Sequence, residues 1–253
     1  MGLLGGLGPA LTGEAATSDR KRTSFYVVWD FDLKNGTQPA RAHDYLSNGF
    51  IPSVRQLSPG PVIALEAVVA AHMPRVTLIM GFNSLEEIGT VHSKVGSIPE
   101  YRKHFEAWEE GSESAVENQT NLLLEAADYS PEIEPSKSER KTARIFELRV
   151  YHSPTYRQLG ALHERFAGPE IRIFHRHGIH PLFYTSTLFG GSIPNLTYLI
   201  PFESLADREK AWAGFGADPE WTKVRAESIA RSGQISSVMQ ISLYKAAPYS
   251  PIQ

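Results

Sequence analysis

The chain has 253 residues, no cysteine, and 28 acidic against 25 basic side chains for a net charge of −3. Disulfides, thiolate nucleophiles and Cys-ligated metals are thereby excluded, and the scattered Lys and Arg offer no basic face to nucleic acid. The 42% hydrophobic content can fill two cores of domain size, while no apolar run reaches the 18 residues that a membrane span needs.

Residues 1–22 run from a Gly- and Leu-rich start to Asp19-Arg20-Lys21-Arg22. The expectation is a flexible N-terminal segment. A shortened export signal is the alternative, but the positive leader is missing and the basic residues lie on the wrong side of the apolar run. Cytoplasmic placement is therefore favoured over export. Thr23 to Leu33 alternates aromatic and aliphatic residues at strand density, and Asn35-Gly36 marks a turn. Between Pro39 and Leu57 the apolar positions Ala42, Leu46, Phe50, Val54 and Leu57 recur three or four apart, which predicts a helix despite Pro52.

Val62 to Ala71 and Val76 to Phe82 read as a hairpin, and Ser84-Leu85-Glu86-Glu87 as a capping box that opens a helix. A further helix is predicted from Pro99 to about Gly111, and a strand from Thr120 to Ala127. The polar stretch Glu132–Lys141 has the composition of a linker. Beyond it come a strand (Ala143–Tyr151), a helix kinked near Gly168-Pro169 (Thr155–His177), and a hairpin (Leu182–Phe189 with Leu196–Phe202) turning at Gly190-Gly191. Ser204 to Asp207 starts another helix, Asp218 caps a short one with Pro219 at its first position, and Ser236–Tyr244 closes the sheet.

The second series repeats the first. Displacing the chain against itself by 120 residues, from His43/His163 to Pro131/Pro251, gives 19 identities in 89 positions. Ordinary composition gives about five or six by chance, so one domain is read as duplicated and fused. The matches include Pro74/Pro194, Phe82/Phe202, Pro99-Glu100/Pro219-Glu220 and Tyr129-Ser130-Pro131/Tyr249-Ser250-Pro251. A β-α-β-β-α-β sheet covers one face with its own helices and leaves the other apolar and bare. The expected fold is α+β: two ferredoxin-like domains, 23–133 and 143–253 with a linker at 134–142, closing as a single-chain pseudo-dimeric α+β barrel.

Several spaced motifs carry a family likeness. Phe146-Glu147-Leu148-Arg149-Val150-Tyr151, His177-Gly178-Ile179, the strand from Asn195, Phe202 to Glu209 with Trp212, and Asp218-Pro219-Glu220-Trp221 together resemble the NIPSNAP domain of the dimeric α+β barrel superfamily. The resemblance covers Ala143 to about Tyr249. The first copy departs from it, with Leu57-Ser58 in place of His-Gly and Ile98-Pro99-Glu100-Tyr101 in place of Asp-Pro-Glu-Trp, and is a degenerate member. The resemblance implies a domain of poorly defined biochemical role, with mitochondrial and trafficking associations in eukaryotes. The superfamily also holds cofactor-independent monooxygenases, haem enzymes and small isomerases, which use the cleft between sheet and helices.

Glu147, Arg149 and Tyr151 stand at i, i+2 and i+4 of a strand and share one face, whereas the first copy has Val27, Trp29 and Phe31 there. A buried acid, guanidinium and phenol must satisfy one another or hold a ligand. With His177, drawn in through the family motif, they form the candidate ligand-binding set. His175, His177 and His180 have poor ligand spacing and are expected to be helix-end histidines near the last carbonyls. His43 and His163 occupy equivalent helical positions and are expected to be exposed. Trp212, Phe215 and Trp221 are read as core.

No catalytic residue, metal site or cofactor is assigned. The leading reading is a non-enzymatic binding or interaction module whose occupant is a small molecule or a protein partner, the chain being a monomer or homo-oligomer. The alternative is a small-molecule enzyme of the monooxygenase or isomerase kind, with His177 or Glu147 as base and Arg149 holding an oxyanion.

Overall fold

The computed structural model describes residues 22–58, 60–111, 113–134 and 143–253. The expected N-terminal segment, except Arg22, and the linker after Glu134 lie outside the described residues. In chain order the elements are β1 (Phe25–Asp32), α1 (Gln38–Asp44), α2 (Ile51–Leu57), β2 (Val62–Val69), β3 (Arg75–Phe82), α3 (Leu85–Lys94), α4 (Pro99–Glu109) and β4 (Asn118–Ala126). Then follow β5 (Ile145–His152), α5 (Tyr156–Arg165), α6 (Ile171–Arg176), β6 (Phe183–Phe189), β7 (Asn195–Phe202), α7 (Leu205–Ala217), α8 (Pro219–Ser232) and β8 (Val238–Ala246). β7 and β8 lie 120 residues after β3 and β4.

The strands close into one antiparallel barrel in the order β1-β3-β2-β8-β5-β7-β6-β4. Two seams join the halves. At one, Glu66 of β2 faces Lys245 of β8; at the other, Glu125 of β4 faces Ser186 of β6. Alternation along each strand sends one set of side chains into the barrel and the other towards the helices. Tyr26, Ile63, Ile79 and Leu124 from the first half meet Phe146, Phe183, Leu199 and Tyr244 from the second in the interior. The Tyr26 and Phe183 rings stack at 4.8 Å. Burial of such a side chain contributes roughly 1.5–3 kcal/mol, so the shared interior binds the halves strongly. Two further clusters lie between each half's strands and its helices.

The chain segments after β4 and β8 cross over. Ala127 N–H donates to the Tyr184 carbonyl and Tyr184 N–H to Ser130 Oγ at 2.9 Å. Ala247 N–H donates to the Ala64 carbonyl and Ala64 N–H to Ser250 Oγ at 3.1 Å. Each half's Tyr-Ser-Pro thus straps a strand of the other half.

The long helices expected before both hairpins are interrupted by π-helical turns, Tyr45–Phe50 and Phe166–Glu170. Pro52 is tolerated because it falls in the first turn of α2, where its missing N–H is no loss. The kink before Pro169 sits at Gly168, whose φ −86°, ψ −115° is not helical. Ser84 caps α3 by accepting from Glu87 N–H, as expected, but the Glu87 carboxylate accepts from Asn83 N–H and Ser58 Oγ. The box is therefore displaced by one residue. α8, expected to be short, runs for 14 residues. Gly190 and Gly191 make the hairpin turn with φ of 82° and 64°, which a side chain would strain. Among the described residues, no helix is long and apolar enough to cross a membrane.

Candidate functional site

β5 lies between β7 and β8, and its odd-numbered positions 147, 149 and 151 face the helices of the second half. Glu147 is 0% exposed, and both its oxygens are taken. Arg149 Nε donates to Oε1; Arg208 Nε and, at 3.2 Å, Trp212 Nε1 donate to Oε2. Arg149 Nη1 donates to Tyr151 Oη at 2.6 Å, and the guanidinium lies 3.7 Å above the Trp212 ring. That stacking suits arginine, whose flat cation bonds in its plane and packs on its face. Burial works to lower the Arg149 pKa, but Tyr198, Tyr151 and Glu147 outweigh it and keep the cation charged.

A second buried ion pair lies within the helical stretch that follows β5. Arg165 Nε donates to Glu170 Oε2 at 2.7 Å, and both groups are buried. Burial pushes the Glu170 carboxyl up to about 7, with Arg165 opposing. Nearby, the Tyr184 hydroxyl has no hydrogen-bond partner among the described residues, and the Tyr198 hydroxyl, which has none of ordinary geometry among them, lies beside Tyr151. Both residues are at most 1% exposed, so these are unspent polar groups inside the protein.

The structure therefore brings together three of the four sequence-derived candidates. His177 belongs elsewhere: it follows α6, and its Nε2 lies 2.8 Å from Asp218 Oδ2, which Arg176 also holds. The ring packs so closely on α7 that a Cβ at Gly214 would lie 2.8 Å from Nδ1. His177 and Arg176 hold the Asp218 carboxyl well below the usual carboxylate range, while its other oxygen caps α8 through Glu220 and Trp221 N–H. The expected contact of His177 with the last helical carbonyls gives way to this carboxylate because a charged acceptor is the stronger one. His175 stacks on His180 at 4.8 Å. Among the described residues no three His, Cys, Asp or Glu side chains are placed to hold a metal ion.

In the first half the equivalent space is an aromatic core. Trp29 and Phe31 pack on Phe50 and Trp108, and Tyr45 stacks on Trp108 at 4.5 Å. The same frame thus encloses aromatic rings in one half and an ionic network in the other.

Residues passed over in the sequence line the barrel's outer seams. His43 and His163, expected to be exposed, are partly buried because each bonds a tyrosine of the opposite half: His43 Nδ1 to Tyr249 Oη at 2.9 Å and His163 Nδ1 to Tyr129 Oη at 2.7 Å. Burial lowers both imidazole pKa values. A cavity of about 520 Å³ opens beside His163, and one of about 310 Å³ beside His43. Neither is lined by Glu147, Arg149, Tyr151 or His177. The signal in the sequence was the recurrence of His and Tyr-Ser-Pro at the 120-residue spacing.

The eight-stranded antiparallel barrel with helices outside is a mixed α+β fold shared with solved structures of low sequence identity. Residues 146–251 match the NIPSNAP family model, so the second half carries a NIPSNAP domain. No curated protein matches the chain. Among solved structures, a monooxygenase candidate from Lactobacillus acidophilus NCFM superimposes with TM-score 0.57 at 7% identity, over 89% of this chain and 94% of that one. An anthrone oxidase-like protein gives 0.53 at 13% identity over 90% and 92%. A NIPSNAP family protein of unknown function from Agrobacterium tumefaciens str. C58 gives 0.40 at 23% identity, covering 46% of this chain and 98% of its own.

Proposed function

We propose that the protein is a non-enzymatic binding module built of two tandem ferredoxin-like halves, 23–133 and 143–253, with a small polar ligand site in the second half around Glu147, Arg149 and Tyr151. The observation that carries this reading is the ionic network itself, present on one of two matching faces. The first half manages the same sheet and helices with Val27, Trp29 and Phe31, so the architecture does not need buried charge there. Buried ion pairs add little to stability over packed apolar groups, which favours a role beyond folding. Glu147 already accepts from three donors, which ties its carboxylate to Arg149, Arg208 and Trp212. The unspent Tyr184 and Tyr198 hydroxyls supply hydrogen bonds for a ligand in the same interior.

A thermal-shift screen of small polar organic acids and amides tests this. A ligand at a hundred times its Kd adds about 2.7 kcal/mol to the folded state and raises the melting temperature accordingly. The variant E147V/R149W/Y151F, which writes the first half's face into the second, is expected to lose that shift, and so is Tyr198→Phe, which removes one hydroxyl only. No shift in the wild type, or equal shifts in wild type and Tyr198→Phe, would overturn the reading.

One observation favours an enzyme instead: Glu170, enclosed and poised near neutrality, has the protonation behaviour of a general acid or base. In that case the stabilising compound is turned over, and Glu170→Gln abolishes turnover while leaving the thermal shift. Likeness to a monooxygenase candidate and an anthrone oxidase-like protein at 7% and 13% identity bears on the fold alone.

A further inference from the structure

The two seams of the barrel match in position, yet among the described residues the facing strand pair forms an ion pair at the first and not at the second. At the first, Lys245 Nζ of β8 lies 3.2 Å from Glu66 Oε2 of β2, and His43 stands between Glu66, at 3.8 Å, and Tyr249. At the second, the corresponding cross-strand pair is Glu125 and Ser186, and His163 stands between Ser186 Oγ, at 2.7 Å, and Tyr129. Here the lysine position holds a carboxylate, the carboxylate position holds a hydroxyl, and the cavity of about 520 Å³ opens against both.

We infer that this second seam is a binding site for a primary alkylammonium ion, which takes the place that the Lys245 ammonium fills at the first. Ser186 Oγ donates to His163 Nε2 when His163 Nδ1–H donates to Tyr129 Oη, and the hydroxyl then keeps its lone pairs for an incoming N–H donor. That arrangement requires an uncharged imidazole, in keeping with the effect of burial on His163. Glu125 supplies the counter-charge, and the other charged groups on the wall, Asp128 and Glu164, are also negative. Arg22, whose guanidinium donates to the Ala127 and Asp128 carbonyls of the wall, is also paired with Glu132. Ala126, Ala127 and Ala167 give the apolar wall that a short alkyl chain needs. This site is separate from the Glu147 network and stands or falls independently of it.

The test titrates n-butylammonium chloride into the isotope-labelled full chain at 150 mM salt and follows the amide resonances of Tyr129, Gly160 and Ser186. Saturable shifts confined to this seam are expected, with none from butyrate or 1-butanol at the same concentrations. The variant E125K/S186E writes the Lys245–Glu66 pair into the second seam and should weaken binding at least tenfold. Should that variant fail to fold, Ser186→Ala serves instead and should weaken binding severalfold. Unsaturable shifts, equal response to butyrate or 1-butanol, or unchanged affinity in the folded variant would overturn the assignment.

Discussion

Glu170 sits 2% exposed beside Arg165, and its burial outweighs the opposing effects of Arg165 and Arg149. Its carboxyl is raised from 4.5 to about 7, so the folded protein holds a proton that the unfolded chain releases. The stability this provides is complete below the unfolded value and is lost as pH rises through the folded one. Between pH 5 and 8 the loss is about 2–3 kcal/mol by linkage. Urea denaturation of Glu170→Gln and wild type at both pH values should show the variant gaining on the wild type by that order. A difference that does not vary with pH would mean Glu170 stays ionised beside Arg165.

At this scale the sequence was legible only where neighbours along the chain suffice. Glu147, Arg149 and Tyr151 share a face because strands alternate, and that could be read directly. Arg208, Trp212, Arg165 and Glu170 reach the same interior from three other segments, and no local period announces them. His177 was drawn in by a motif, but the partner that claims it, Asp218, was read only as a helix cap.

Among elements, helix starts were the most legible feature because capping is a matter of three or four residues. Ser204 caps α7 through Asp207 N–H at 3.1 Å, and Ser204→Ala should cost ~1 kcal/mol. Asp218→Ala should be worse than that, since it also strips His177 and Arg176 of their shared acceptor. Chemical denaturation of the two variants side by side checks the order, and the reverse order would show that the His177 contact adds nothing. The π-helical turns were not legible, because the apolar spacing on either side of them still fits a continuous helix.

For the whole molecule, closure of the barrel depends on residues that straddle the halves. Ala64 is buried, and its N–H has Ser250 Oγ as acceptor; Tyr184 N–H has Ser130 Oγ. Removing either hydroxyl leaves an amide unsatisfied, so Ser250→Ala and Ser130→Ala should each lower stability by about 1–3 kcal/mol, with the double variant near their sum. Denaturant midpoints at constant slope would show it. The 120-residue repeat sets His43 against His163, whereas the folded chain sets it against Tyr249, so the crossing of the two tails was not legible in the repeat.

That exchange bears on how such a barrel can change. Were the two halves separate identical subunits, any substitution at one joint would appear at the other, and a lysine could not stand at one while a glutamate stood at its counterpart. A single polypeptide carries no such obligation. Lys245 with Glu66 can fasten one side while Glu125 with Ser186 leaves the other side open, and aromatic rings can fill one interior while charged groups occupy its twin.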